Sequence, residues 1–140
     1  QGITKLKPVN LISLQYTVNE QKVKQLNQQH GLNIHHWDDA IANYDDTAAL
    51  IASLDIVISV RTAVIHLAGA IGQTTWVLMP KNSSWRYPLT GRRMRWYSSV
   101  ELFRQNETSQ WENVLEEVST RVQELIEQRD YKNPPKELIE

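Results

Sequence analysis

Residues 54–70, LDIVISVRTAVIHLAGA, constrain the fold more than any other part of the chain. Residues 55–60 are almost all apolar and too few for a globular helix, so they read as a strand buried on both faces. Residues 61–71 keep apolar positions through a helix that Gly72 stops in the left-handed conformation. TTWVLMP follows at once and supplies another strand over 75–79, closed by Pro80. Strand, helix and strand in that order require a parallel pair joined by a right-handed crossover.

The flanking sequence repeats the theme. Residues 9–15, VNLISLQ, read as a short buried strand. Thr17-Val18-Asn19-Glu20 fits a capping box and opens a helix to about Gln29, which Gly31 ends. Residues 32–37 read as a second strand, and Asp45-Asp46 can cap a helix over 47–54. Residues 81–99 form the longest irregular stretch, and residues 100–105 a fifth strand. Ser109-Gln110-Trp111-Glu112 is a second capping box. It opens a helix to about Arg129 with apolar positions at Trp111, Val114, Leu115, Val118, Val122, Leu125 and Ile126, spaced to form a lid over the sheet. The expected fold is α/β: a three-layer, Rossmann-like domain over residues 1–129 with a mainly parallel sheet of about five strands. A tail, 130–140, is expected to be loose or docked on a neighbour.

Composition narrows the class. A length of 140 residues suits one domain with one core, and a net charge of −1 gives no reason to expect nucleic acid as a partner. The absence of cysteine excludes disulfides, thiolate nucleophiles and cysteine-based metal sites. No run approaches the length of a membrane span, and the first ten residues lack the apolar core of a signal peptide. A cytoplasmic location is the expectation. The opening Gln-Gly, without an initiator Met, suggests an excised piece of a longer protein.

Chemistry concentrates at two places. Ser59-Val60-Arg61-Thr62-Ala63 joins the carboxyl end of a strand to the amino end of a helix, where free N–H groups favour an anion. Thr62 can offer a hydroxyl, Ala63 and Val64 add N–H groups, and His66 lies one turn on along the same face. Against this, every strand–helix turn has free N–H groups, and a helical His facing a sheet can be plain core; residue physics leaves the two readings even. With no glycine-rich loop, Walker and dinucleotide fingerprints do not apply. The second place is the loop carrying Trp85, Arg86, Tyr87, Arg92, Arg93, Arg95, Trp96 and Tyr97. Its arginines could clamp a diphosphate, or the loop could be a surface feature anchored by aromatics, chiefly Trp96 and Tyr97. Neighbours on a strand point to opposite faces, so His35 and His36 do not suit one metal, and no metal site is assigned. Asp45 and Asp46 read as helix caps.

LDIVISVRTAVIHLAGAIGQTTWVLMP, with WRYPLTG, RWYSSVELFRQ and the upstream ISLQ and DDTAALIASLD, resembles the carboxyl-terminal domain of bacterial glycosyltransferases related to the lipopolysaccharide heptosyltransferases. The likeness runs from about Leu11 to Leu125 and is greatest to the version that follows tetratricopeptide repeats. It implies one half of a GT-B fold that holds a nucleotide-sugar donor and transfers sugar without a metal or other cofactor, helix dipole and basic side chains stabilising the leaving diphosphate.

By position, Thr62, Ala63 and Val64 would line the diphosphate and His66 would hydrogen-bond it or the sugar. Ser13, Leu14, Gln15 and Tyr16 would face the same cleft. Asp46 and Thr47 would start the helix flanking the nucleoside, while Trp85 and Arg86 would close the site. Two departures stand out: Arg61 replaces an Asp common in relatives, and Tyr16 a Lys, so Arg61 could restore the lost positive charge. The likeness also implies one more strand ahead of Val9, an amino-terminal domain that supplies acceptor contacts, and tetratricopeptide repeats as further neighbours. Without that strand, sheet edges are open to another chain, including a second copy. Alternatives to donor binding are a degenerate domain that acts as a non-catalytic interaction or scaffold module, and a nucleotide-sugar epimerase of the same shape.

Overall fold

The residues that the computed structural model describes, 9–82, 86–106 and 110–132, form five strands and four helices, which alternate as far as the fourth strand. In chain order they are β1 (Leu11–Ile12), α1 (Glu20–His30), β2 (Ile34–His35), α2 (Tyr44–Ala52), β3 (Val57–Val60), α3 (Ala63–Ala70), β4 (Thr75–Met79), β5 (Val100–Arg104) and α4 (Glu112–Lys132), with a 3-10 turn, Asp39–Ile41, ahead of α2. All named strand pairs are parallel, the β4–β5 pair included, although no helix stands between those two strands among the described residues. The α/β, Rossmann-like expectation holds, but the strands fall into two sheets, β1-β2 and β3-β4-β5.

The three-stranded sheet carries the core, and its two faces are covered differently. Period-two alternation sends Val77, Met79, Val100 and Leu102 to one face. There they meet Ile65 of α3 together with Tyr87 and Met94 from the loop before β5. The same alternation sends Trp76 and Phe103 to the other face, against Val114, Val118 and Val122 of α4. Burying each such side chain is worth about 1.5–3 kcal/mol, so these layers dominate the stability of the domain. β4, the middle strand, is buried on both faces, whereas β3 is only half buried and Val60 is 50% exposed. The expectation of a fully buried third strand is therefore corrected: among the described residues, one edge of β3 has no strand beside it.

Ion pairs tie α4 to β5. Glu101 lies 3.3 Å from Arg121 and 3.6 Å from Arg92, and Arg92 also pairs with Glu117. Their guanidinium groups lie over the Trp76 and Phe103 rings, Arg121 at 5.4 Å and Arg92 at 5.2 Å.

Several local expectations shift by a few residues. The cap of α1 is Asn19, whose side chain accepts from the Lys22 N–H, so the helix begins later than a Thr17 cap would place it. Asn43, not Asp45 or Asp46, caps α2, and the two aspartates occupy its first turn, where negative charge suits the helix dipole. β1 and β2 each shrink to two paired residues. α4 continues to Lys132, so the boundary at residue 130 lies inside a helix. Its buried seam is Val114, Val118 and Val122, while Trp111, Leu115 and Leu125 are largely exposed. The Ser109 cap lies outside the described residues.

Candidate anion site at the start of α3

The turn between β3 and α3 is closed by main-chain atoms: the Thr62 N–H donates to Val60 O at 2.8 Å. Thr62 is the N-cap of α3, with extended backbone, yet its side chain makes no capping bond. The hydroxyl instead shares a 3.2 Å hydrogen bond with Ser59. An α-helix cannot satisfy its first N–H groups internally, so those of Ala63 and Val64 are presented outward. Arg61, Thr62 and Ala63 are exposed, Val64 and His66 half-buried.

The loop before β5 folds back onto α3. The Arg93 backbone bridges Glu101 antiparallel to β5, and the Leu102 N–H donates to Arg92 O at 2.7 Å. Arg104 donates to Pro88 O at 2.7 Å, and the Trp96 indole N–H to Arg86 O at 3.2 Å. Tyr97 then sits against α3. Its ring meets the His66 ring edge-on, centroids 5.9 Å apart, and lies where a side chain on Gly69 would stand. Tyr87, at the near end of the loop, is buried, and burial pushes its hydroxyl pKa up. The charges of Arg61 and Arg86 oppose that shift, so both guanidinium groups act electrostatically on one buried hydroxyl. Arg61, adjoining Thr62, brings a cation to the start of α3, a combination with its N–H groups suited to an anion such as a phosphate.

Of the sequence-predicted residues, Arg61, Thr62, Ala63, Val64, His66 and Arg86 belong to this end of the fold. Trp85 lies outside the described residues. Gln15 and Tyr16 follow β1 and are exposed, and among the described residues no hydrogen bond joins them to the α3 end. Arg92 is a correction to the idea of a loop-wide arginine clamp: its ion pairs with Glu101 and Glu117 hold it on the α4 side of the sheet. Trp96 is 63% exposed, so Tyr97 rather than Trp96 is the packed anchor. Tyr87 was named from sequence within the aromatic and arginine loop but given no role of its own, and Gly69 was not singled out; a glycine inside the helical run AVIHLAGA was the available signal, since it marks close approach of another group.

The two histidines after β2 diverge as alternation demands. His35 stacks on Trp37, while His36 is buried with Nε2 3.0 Å from the Asp38 carboxylate. An open cavity of about 550 Å³ beside them is lined by Glu20, Trp37, Asp38, Asp39 and Ala40. Among the described residues no group of three or more His, Asp or Glu side chains is placed to hold a metal. No described helix is long and apolar enough to cross a membrane.

No protein-family model matches the chain, and no solved structure matches it. The chain is similar to Protein FlbA of Caulobacter vibrioides, with 33% identity over 121 residues. That alignment covers 84% of this chain and 20% of FlbA, so the chain spans about a fifth of the length of this relative.

Proposed function

We infer that this domain holds the diphosphate of a nucleotide-sugar donor and is the donor half of a metal-independent glycosyltransferase acting on an acceptor of unassigned class. The observation that carries the reading is the start of α3, where Thr62 makes no side-chain capping bond and Arg61 is exposed beside it; Arg86, like Arg61, acts electrostatically on the Tyr87 hydroxyl. Helix N–H groups contribute about 0.3–1 kcal/mol to an anion at an exposed end, and charge-assisted hydrogen bonds about 1.5–3 kcal/mol each. Two guanidinium groups thus supply most of the affinity and the helix sets the position. The glycosyltransferase likeness of the flanking segments turns "anion" into "nucleotide diphosphate". Transfer itself needs acceptor contacts from outside this domain.

The test is an amide chemical-shift titration with UDP, GDP, ADP and CMP, on this chain and on the full-length protein. Shifts concentrated at residues 59–66 and Arg86 for one nucleotide are expected. Arg61→Ala and Arg86→Ala should each weaken binding about tenfold, equivalent to about 1.4 kcal/mol. Silence from the full-length protein toward all four would sink the donor reading and leave the non-catalytic interaction module.

A further inference from the structure

Charge is unevenly distributed along the chain. Residues 56–100 hold six of its fifteen Lys and Arg and none of its sixteen Asp and Glu. The net charge of −1 therefore conceals a basic middle set in an acidic remainder. Four of the six, Arg86, Arg92, Arg93 and Arg95, lie in the loop that leads into β5. Arg92 is engaged by Glu101 and Glu117. Arg93 and Arg95 are exposed and form no ion pair among the described residues. Tyr87 and Met94 fasten the loop inward, both buried with Ile65 and Val77, and the Met94 N–H donates to Val100 O at 3.3 Å. With the inner side so fixed, the outer side presents Leu89, 80% exposed, and Trp96, 63% exposed, with Arg93 and Arg95. The Trp96 indole, bonded to Arg86 O, reaches back across the loop to a point three residues before Leu89.

We propose that the outer side of this loop docks on a bilayer surface that contains anionic phospholipid. Leu89 and Trp96 enter the interface, and Arg93 and Arg95 pair with lipid phosphates. Each residue type suits that place for its own reason. Single exposed apolar side chains are ordinary on a protein surface, but Leu89 and Trp96 share one fastened loop with unpaired cations. Tryptophan combines an apolar body with a polar tip and favours the level of the headgroups. A guanidinium fork matches phosphate oxygens, and its stem lies along apolar surface while the charge stays in water. A bilayer receives protruding side chains without a shaped pocket, whereas a protein partner must supply pockets for its anchors. The charge distribution also fixes orientation: the same anionic surface repels the acidic remainder of the chain, so this side approaches first. Docking would hold α3, against which Tyr97 packs, close to the headgroups. The proposal rests on exposure and charge and stands or falls separately from the donor reading.

Cosedimentation of the full-length protein with vesicles tests it. Vesicles of equal parts phosphatidylcholine and phosphatidylglycerol should bind, less so as salt rises, and phosphatidylcholine alone should bind weakly. Arg93→Gln and Arg95→Gln should each weaken binding to the anionic vesicles about fivefold. Leu89→Ser should weaken it about tenfold, with the salt dependence unchanged. Lipids brominated in the acyl chain should quench part of the tryptophan fluorescence, and Trp96→Phe should remove that part. No binding to anionic vesicles, or equal binding to both vesicle types, would overturn the proposal. Binding that Leu89→Ser and both arginine variants leave intact would overturn it as well, by placing the contact elsewhere. If vesicles fail to bind while polyglutamate binds and loses affinity in the arginine variants, the loop docks an acidic protein and the lipid reading is refuted. Trp96→Phe gives up the bond to Arg86 O; if that loosens the loop, the other three variants still decide.

Discussion

Gly69→Ala separates two physical effects that usually travel together. In a helix, replacing Gly by Ala stabilises by about 0.5–1 kcal/mol, because less backbone entropy is lost on folding. Here the added Cβ would stand 2.5 Å from Cγ of Tyr97, 2.6 Å from its Cδ2 and 2.9 Å from its Cβ. Those atoms belong to the root of the side chain, which cannot swing clear without the loop moving. Overpacking of this kind costs about 1–3 kcal/mol, so the net loss should be about 1–2 kcal/mol. For a domain of this size that lowers Tm by about 4–8 °C. Tyr97→Gly removes all three obstructing atoms, and in that background Gly69→Ala should raise stability by about 0.5–1 kcal/mol. Urea titration of the four members of the cycle measures both signs. If Gly69→Ala stabilises the protein while Tyr97 is present, Tyr97 does not lie against α3, and the account of how the loop closes over the candidate site is wrong.

Other consequences are open to direct measurement. Burial holds the Tyr87 hydroxyl above its ordinary pKa of 10.0, so its share of stability is intact below pH 10.0 and is lost as pH climbs through the native value. Arg61→Ala removes an opposing charge and should move phenolate absorbance to still higher pH; a downward move would contradict the placement of Arg61. Asn43→Ala removes the cap on the Asp46 N–H and should cost about 1 kcal/mol, with faster amide exchange in the first turn of α2. Phe103→Ala, deep between Trp76 and α4, should cost about 3–5 kcal/mol while leaving the nucleotide titration unchanged in a sample that remains folded.

The strands whose both faces are apolar were legible because burial leaves a direct record in sequence: residues 75–79 form β4 as expected. Helix stops at Gly31 and Gly72 were legible for a similar reason, since both adopt the positive φ that glycine tolerates. Helix starts were less so. Thr17 and Asp45 match capping chemistry as well as Asn19 and Asn43 do, and only tertiary placement selects among them. The half-exposure of β3 was illegible because VISV reads the same whether or not a neighbour pairs with it. At the site, local chemistry identified Thr62 and its N–H groups from sequence. The separation of Arg86 from Arg92 depends on which way a loop turns, and the carboxylates that capture Arg92 are 9 and 25 residues away in the chain. Tyr87 was named among the loop aromatics, but its burial was not foreseen because an aromatic in a loop carries no mark of it.

The two-residue turn that ends β3 leads to one more consequence. Its closure uses the Thr62 N–H, the Val60 carbonyl and the Ser59–Thr62 hydroxyl pair, and Arg61 within it contributes an exposed side chain. Any L-residue able to follow that backbone path can occupy position 61 with little penalty to folding. A single codon change there can reverse the sign of charge at the mouth of the site while the scaffold stays intact. Selection can thus retune what this surface attracts in one step, whereas the buried partners of the same neighbourhood, Ile65 and Val77, can change only in concert.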